Sequence, residues 1–308
     1  MDDKDLSLPE ILQSLLDAIS YTSPREMMAA GGSSTDALIS AMNAKAREWA
    51  LDEKDIPALE STSKKAAAVM EFFYYHLPFE TKLAFGFYVW FFFYIDDFSS
   101  QESLVKYQHN VLVGAPQSPG PISHFQSVLA DLYTYYDPLC ANFMVCSAME
   151  FISGCIMEGR EEVLCMEINP NATAWPKYLR LKTGMAPGFS AALFPRATNP
   201  DITAYMQAFP EIDEYMVLIN DIMSFYKEEL AGETMNYTDV RAKVAGKHPR
   251  RVLADMAHEA GDIHRRIVKL LEGSPAALKA YMTVAHGEIA FHFALPRYKL
   301  SDLGFTSA

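Results

Sequence analysis

"LINDIMSFYKEEL", residues 218–230, places an amide, a hydroxyl and a carboxylate at Asn220, Ser224 and Glu228. In a helix of about 100° per residue, positions i, i+4 and i+8 drift only ~40° from one another. The three oxygen donors therefore form one stripe over two turns, next to the apolar Met216, Val217 and Ile219. A hard cation such as magnesium takes oxygen donors of this kind. Lys227 lies close to the same face, where it can meet an anion held by that metal. A plain polar helix face with one i, i+4 hydrogen bond is the alternative, and it does not account for polar donors merging into an apolar stripe.

A second acidic site follows the run "FGFYVWFFFYIDDFSS", residues 85–100. From Leu83 to Ile95 there is no charge, and then Asp96 and Asp97 arrive together. Adjacent carboxylates repel, and they are tolerated where solvent or a cation compensates. The uncharged run spans about 20 Å as a helix, short of the ~30 Å hydrocarbon core of a bilayer. It reads as a buried helix, not a membrane span.

Around these stretches the chain is helix punctuated by short breaks, with no repeat and little strand-like alternation. Pro78 starts the aromatic helix, and "VGAPQSPGPIS" (113–123) is the clearest loop. "WPKYLRLKTGMAPGFSAALFP" is helical but must break near Gly184, Pro187 and Gly188. "AGETMNYTD" (231–239) reads as a polar loop, followed by helices at about 250–273 and 274–295, the last capped by Ser274 before Pro275. The expectation is a single all-α domain over 1–308, with peripheral N-terminal helices in 1–60 and a catalytic core in 61–300. "YTSPRE" and "AAGGSSTD" separate the first segments.

A net charge of −13 argues against nonspecific binding to nucleic acid or anionic membranes. Cys140, Cys146, Cys155 and Cys165 contain no CxxC pair and read as core thiols. "MDDKDLSLPE" lacks the pattern of a signal peptide, so a cytoplasmic location is the default.

"NDIMSFYKEE" resembles the Asn-Asp-x-x-Ser-x-x-x-Glu metal motif of class I terpene synthases, in particular the fungal trichodiene synthase-like group. "YIDDFSS" stands where that family has its aspartate-rich motif. "YLRLKTG" resembles the segment with the diphosphate-sensing arginine, and "PRYKL" the Arg-Tyr pair after the last core helix. The resemblance implies an all-helical bundle around a central cavity and an enzyme that ionises farnesyl diphosphate and cyclises the cation to a sesquiterpene. It implies a cluster of three magnesium ions held by Asp96, Asn220, Ser224 and Glu228, with Arg180, Lys227, Arg297 and Tyr298 donating to the diphosphate. Asp97 is then the partner of an arginine. Thr183 and Gly184 follow Arg180 at the linker and effector positions, and a homodimer is plausible by resemblance alone. Where the family carries a further acid, this chain has Ser100, and Thr183 replaces an acidic or amide residue.

Counting back from Asp96 at helical spacing gives Phe93, Phe92, Val89 and Phe85 as the hydrocarbon wall below the metal site, with Phe291 and His292 weaker candidates. The loop at 231–239 is placed to close over the mouth. A chain-elongating prenyltransferase and a non-catalytic isoprenoid-binding protein are the rivals.

Overall fold

The structure, a computed structural model, describes residues 6–25 and 35–305. The part of "AAGGSSTD" before Thr35, and the first five residues, lie outside the described residues. Among the described residues the chain forms fourteen α-helices joined by short 3-10 turns, with no strand. They are α1 (Leu8–Ala18), α2 (Thr35–Trp49), α3 (Ile56–Phe73), α4 (Phe79–Phe98), α5 (Gln101–Val113), α6 (Phe125–Tyr135) and α7 (Pro138–Glu158). Then come α8 (Glu161–Leu164), α9 (Trp175–Thr183), α10 (Ala186–Ala191), α11 (Phe209–Ala231), α12 (Tyr237–Ala245), α13 (Pro249–Leu271) and α14 (Pro275–Ala294).

The all-α expectation holds, and local chemistry explains most boundaries. Pro78 in extended backbone precedes α4, and Asp137 accepts from the Leu139 N–H at 2.8 Å to start α7. Gly232 and Gly246, both left-handed, end α11 and α12. The expected break after Thr183 separates α9 from α10, and Met185 (φ 50°) carries the left-handed turn between them. Few non-glycine residues adopt that conformation, and here the buried Met185 side chain anchors it.

Four expectations need correction. The second half of "AGETMNYTD" is helical: Asn236 accepts from the Asp239 N–H at 2.9 Å and caps α12, which the sequence reading took for loop. Ser274 makes no side-chain cap bond. Cys146 and Cys165 are exposed, so only Cys140 is a wholly buried thiol. The N-terminal helices are not merely peripheral, because Leu15, Leu38, Met42 and Ala46 are fully buried in the common core.

Two helices set the frame. α4 buries Phe85, Tyr88, Val89, Trp90 and Phe91 completely and packs against α3, α6 and α2. At roughly 1.5–3 kcal/mol per buried large apolar side chain, this helix anchors one half of the bundle. α11 anchors the other half, against α13, α10 and α14. α7 is long and apolar enough to cross a membrane by length and composition. It is the core helix beneath α9, α10 and α5, with Cys140, Met144, Ala148, Phe151 and Ile152 buried. At Gly287 the backbone of α14 approaches α3 so closely that a Cβ there would lie 2.0 Å from the Phe72 carbonyl oxygen.

Candidate active site

A cavity of about 270 Å³ opens between the C-terminal ends of α4 and α11. Asp96 and Asp97 come to it from the last turn of α4, and Asn220, Ser224, Lys227 and Glu228 from one face of α11. The stripe drawn from spacing alone thus faces a single space, opposite the acids. Arg297 and Tyr298 enter from the 3-10 turn after α14, and Arg180 from the end of α9. The deeper wall is apolar: Val69 and Phe73 of α3, Phe92 and Phe93 of α4, Phe189 of α10, and Phe291 of α14.

Arg180 is the most tightly fixed of these groups. Its Nε donates to both carboxylate oxygens of Asp221, at 3.0 and 2.9 Å, and its Nη2 donates to Asn220 Oδ1 at 2.9 Å. Burial works against its charge, but Asp221, Glu228 and Glu158 outweigh that and hold the guanidinium above its ordinary pKa. Gly184 makes room for it, because a Cβ at that position would come within 2.5 Å of Nη1. Asp221, inside the quoted motif but given no role from sequence, is therefore the residue that aims Arg180.

Asp96 and Asp97 stand exposed at the mouth, whereas Glu228 is largely covered by protein. Partial desolvation still pushes Asp96 above the usual carboxylate range and the Asp97 charge adds to the effect, while Lys65 and Arg297 pull the other way. Glu228 is also raised by burial, against the attraction of Lys227, whose Nζ lies 3.3 Å from its Oε1. Lys227 and Arg297 both stand over the Tyr298 ring, at 5.7 and 5.2 Å from its centroid. Such cation–ring contacts hold mobile cations at the mouth.

Among the described residues no group of three or more His, Cys, Asp and Glu side chains converges in metal-binding fashion. The donor set here is different: two carboxylates, one amide oxygen and one hydroxyl, all hard oxygen donors on facing helices. That chemistry fits magnesium. In this structure the donors are engaged with the protein's own cations, since Asn220 accepts from Arg180 and Glu228 pairs with Lys227.

Several expected positions fall elsewhere. Phe85 and Val89 do not line the cavity; both are wholly buried, and the Phe85 ring packs on Tyr74, Tyr88 and Phe189. Helical spacing puts them on the same side as Phe92, but about three and two turns below Asp96, deeper than the cavity reaches along this helix. Asp97 pairs with Lys65 at 2.6 Å and not with an arginine. Thr183 lines a second cavity of about 220 Å³ behind Arg180, shared with Glu158, Asp221, Asn236 and Tyr237. Ser100 is not a lining residue at all: its hydroxyl accepts from the Ser103 N–H at 3.2 Å and caps α5. His292, fully buried, does not line the cavity, whereas Phe291 does.

The sequence reading missed Lys65, Glu158 and Glu288. Lys65 is 32 residues from its partner Asp97, and only the packing of α3 on α4 brings them together.

Known proteins resemble this chain over most of its length. A family model described as trichodiene synthase matches residues 44–305. Terpene synthase BipA of Cochliobolus sativus is 35% identical over 225 residues, which cover 72% of this chain and 69% of that protein. Longiborneol synthase of Gibberella zeae is 28% identical over 236 residues, 74% of this chain and 69% of its own length. (E)-beta farnesene synthase of Metarhizium brunneum is 30% identical over 216 residues, 68% and 65% of the two chains. A match over most of the length, on a helical bundle whose acids and basic groups share one cavity, makes this chain a terpene synthase of the trichodiene synthase family.

Proposed function

We propose that this terpene synthase takes farnesyl diphosphate, ionises it with magnesium, and cyclises the cation to a sesquiterpene hydrocarbon or alcohol. One observation carries the reading: Asp96 on α4 and the Asn220, Ser224 and Glu228 stripe on α11 face each other over a cavity that turns apolar one turn deeper. Bound there, magnesium would neutralise charge on the departing diphosphate, with Asp96, Asn220, Ser224 and Glu228 as the residues that hold it. Arg180, Lys227, Arg297 and Tyr298 donate to diphosphate oxygens, and Lys65 adds a fifth donor at the same mouth. Negative charge on the leaving group is thereby stabilised in a site poor in water. Phe92, Phe93 and Phe291 then bound the hydrocarbon, exclude water from it and offer ring faces to the cation. The names of relatives such as (E)-beta farnesene synthase support the fifteen-carbon substrate.

The test is a product assay. Purified protein is incubated with geranyl, farnesyl and geranylgeranyl diphosphates, each with and without magnesium, and extracts are analysed by gas chromatography–mass spectrometry. A fifteen-carbon cyclic product formed only with farnesyl diphosphate and magnesium is the expected result. Product from another chain length would overturn the substrate assignment. Magnesium-dependent binding without product would favour a non-catalytic isoprenoid-binding role, and a longer linear diphosphate would mark a chain-elongating prenyltransferase.

A further inference from the structure

Glu288 lies in the middle of α14, 2% exposed, and its carboxyl belongs to the wall of the main cavity. Its Oε2 is buried and has no hydrogen-bond partner among the described residues. Native proteins rarely leave such an atom unpaired, because desolvating a polar group without a bond is costly. An apolar residue in this wall, which also holds Phe73, Met216 and Phe291, would carry no such penalty. Burial holds the carboxyl well above the usual range; the Arg180 charge opposes this and the Asp221 charge reinforces it. Burial therefore favours the uncharged, protonated form of this acid.

That state suits a cavity that handles carbocations. The protonated acid can donate a proton to an alkene held against it, and the carboxylate so formed can take one back. The neighbouring histidine on α14 is not a competing source. His292 is pushed down to about 4 by burial, its Nδ1 is 2.7 Å from the Glu288 carbonyl oxygen, and it does not line the cavity.

We propose that Glu288 is a catalytic acid–base residue that re-protonates a neutral polyene inside the cavity and then recovers a proton from the final cation. The assignment rests on the function proposed above and adds a residue to it. The first cation loses a proton to the diphosphate and becomes a neutral polyene. The Glu288 O–H bond then breaks, its proton forms a new C–H bond at one alkene carbon, and the positive charge passes to the other carbon. Ring closure follows. A C–H bond on a different carbon, next to the last cation, then breaks; its electron pair forms a C=C bond, and its proton returns to the Glu288 carboxylate. Glu288 ends as it began, and the net products are a hydrocarbon and protonated diphosphate.

The experiment uses the full chain, equilibrated in D2O, with farnesyl diphosphate and magnesium. Diphosphate release and product mass are read from the same tubes. The wild type is expected to give a cyclic product with one deuterium, because the acid proton exchanges with solvent before substrate binds. Glu288→Gln, which keeps the shape and removes the acid, is expected to accumulate the neutral polyene and to lower deuterated product at least tenfold. Glu288→Asp should restore part of the label. A wild-type product without deuterium would overturn the assignment whatever the variants do, and so would an unchanged, labelled product from Glu288→Gln. No diphosphate release by the wild type would overturn the proposed function itself, and this assignment with it.

Discussion

At the residue scale the site is organised by the pair Arg180 and Asp221. A guanidinium held by two hydrogen bonds to one carboxylate has little freedom to rotate. Asp221→Asn removes the nearest counter-charge of that buried guanidinium, and loss of one partner of a buried pair is costly. The expected outcome is a fall in kcat/KM of at least about tenfold together with a lower urea midpoint, measured by product assay and circular dichroism. Glu228→Ala is different. Among the described residues the ion pair of Glu228 is with the adjacent Lys227, so its removal should abolish turnover without unfolding the protein. Full activity in that variant would refute a metal role for Glu228, and a collapsed melting curve would refute its independence from the fold.

At the scale of elements, close approach of helices decides what can change. α14 crosses α3 with the Gly287 backbone against the Phe72 carbonyl, so any side chain there must push the helices apart. Gly287→Ala is expected to cost at least ~2 kcal/mol, read from urea unfolding. Because Glu288 and Phe291 ride on the same helix, the product mixture should shift as well. These crossings also show what the sequence could disclose. The α11 stripe was legible because four positions on one helix are fixed by 3.6-residue periodicity alone. The all-α class and the α9–α10 break were legible for the same reason, through apolar spacing and Gly184 and Pro187. Phe85 and Val89 were misplaced because periodicity gives a direction around a helix but not the depth at which a neighbour covers it. α12 was missed because "NYTD" reads as turn until Asn236 is seen as its cap. Lys65 was invisible because it reaches the cavity from a helix distant in sequence from the motifs, and Glu288 because a lone acid within an apolar helix carries no motif of its own.

For the molecule as a whole, buried ionisable groups set the response to acid. His76, His264 and His292 are each held down to about 4, first by burial, and stay uncharged in the folded protein at neutral pH. The unfolded chain takes up those protons near 6.5, so it binds more protons than the native state between about 6.5 and 4. Stability is therefore full above that window and falls as pH drops through it. Asp213, raised to about 6 by burial, acts in the opposite sense below 6. So do Asp96, Glu228 and Glu288, which burial also raises, and together they offset part of the loss. The expected outcome is a urea midpoint that declines from pH 7 to pH 5. His76→Phe, which removes two buried ring nitrogens without partners, should decline less steeply. A midpoint that rises on acidification would contradict this. The burial of the N-terminal helices has a further effect, on the order in which the protein can assemble. α1 packs against α13; the Leu6 carbonyl accepts from Arg250, 244 residues later, and Thr22 bonds to His286, 264 residues later. At a synthesis rate of roughly 5–20 residues per second, tens of seconds pass on the ribosome between the two sides of that contact. Until then the apolar face of α1 has no native partner on α13, and closure of the bundle is among the last events in its synthesis.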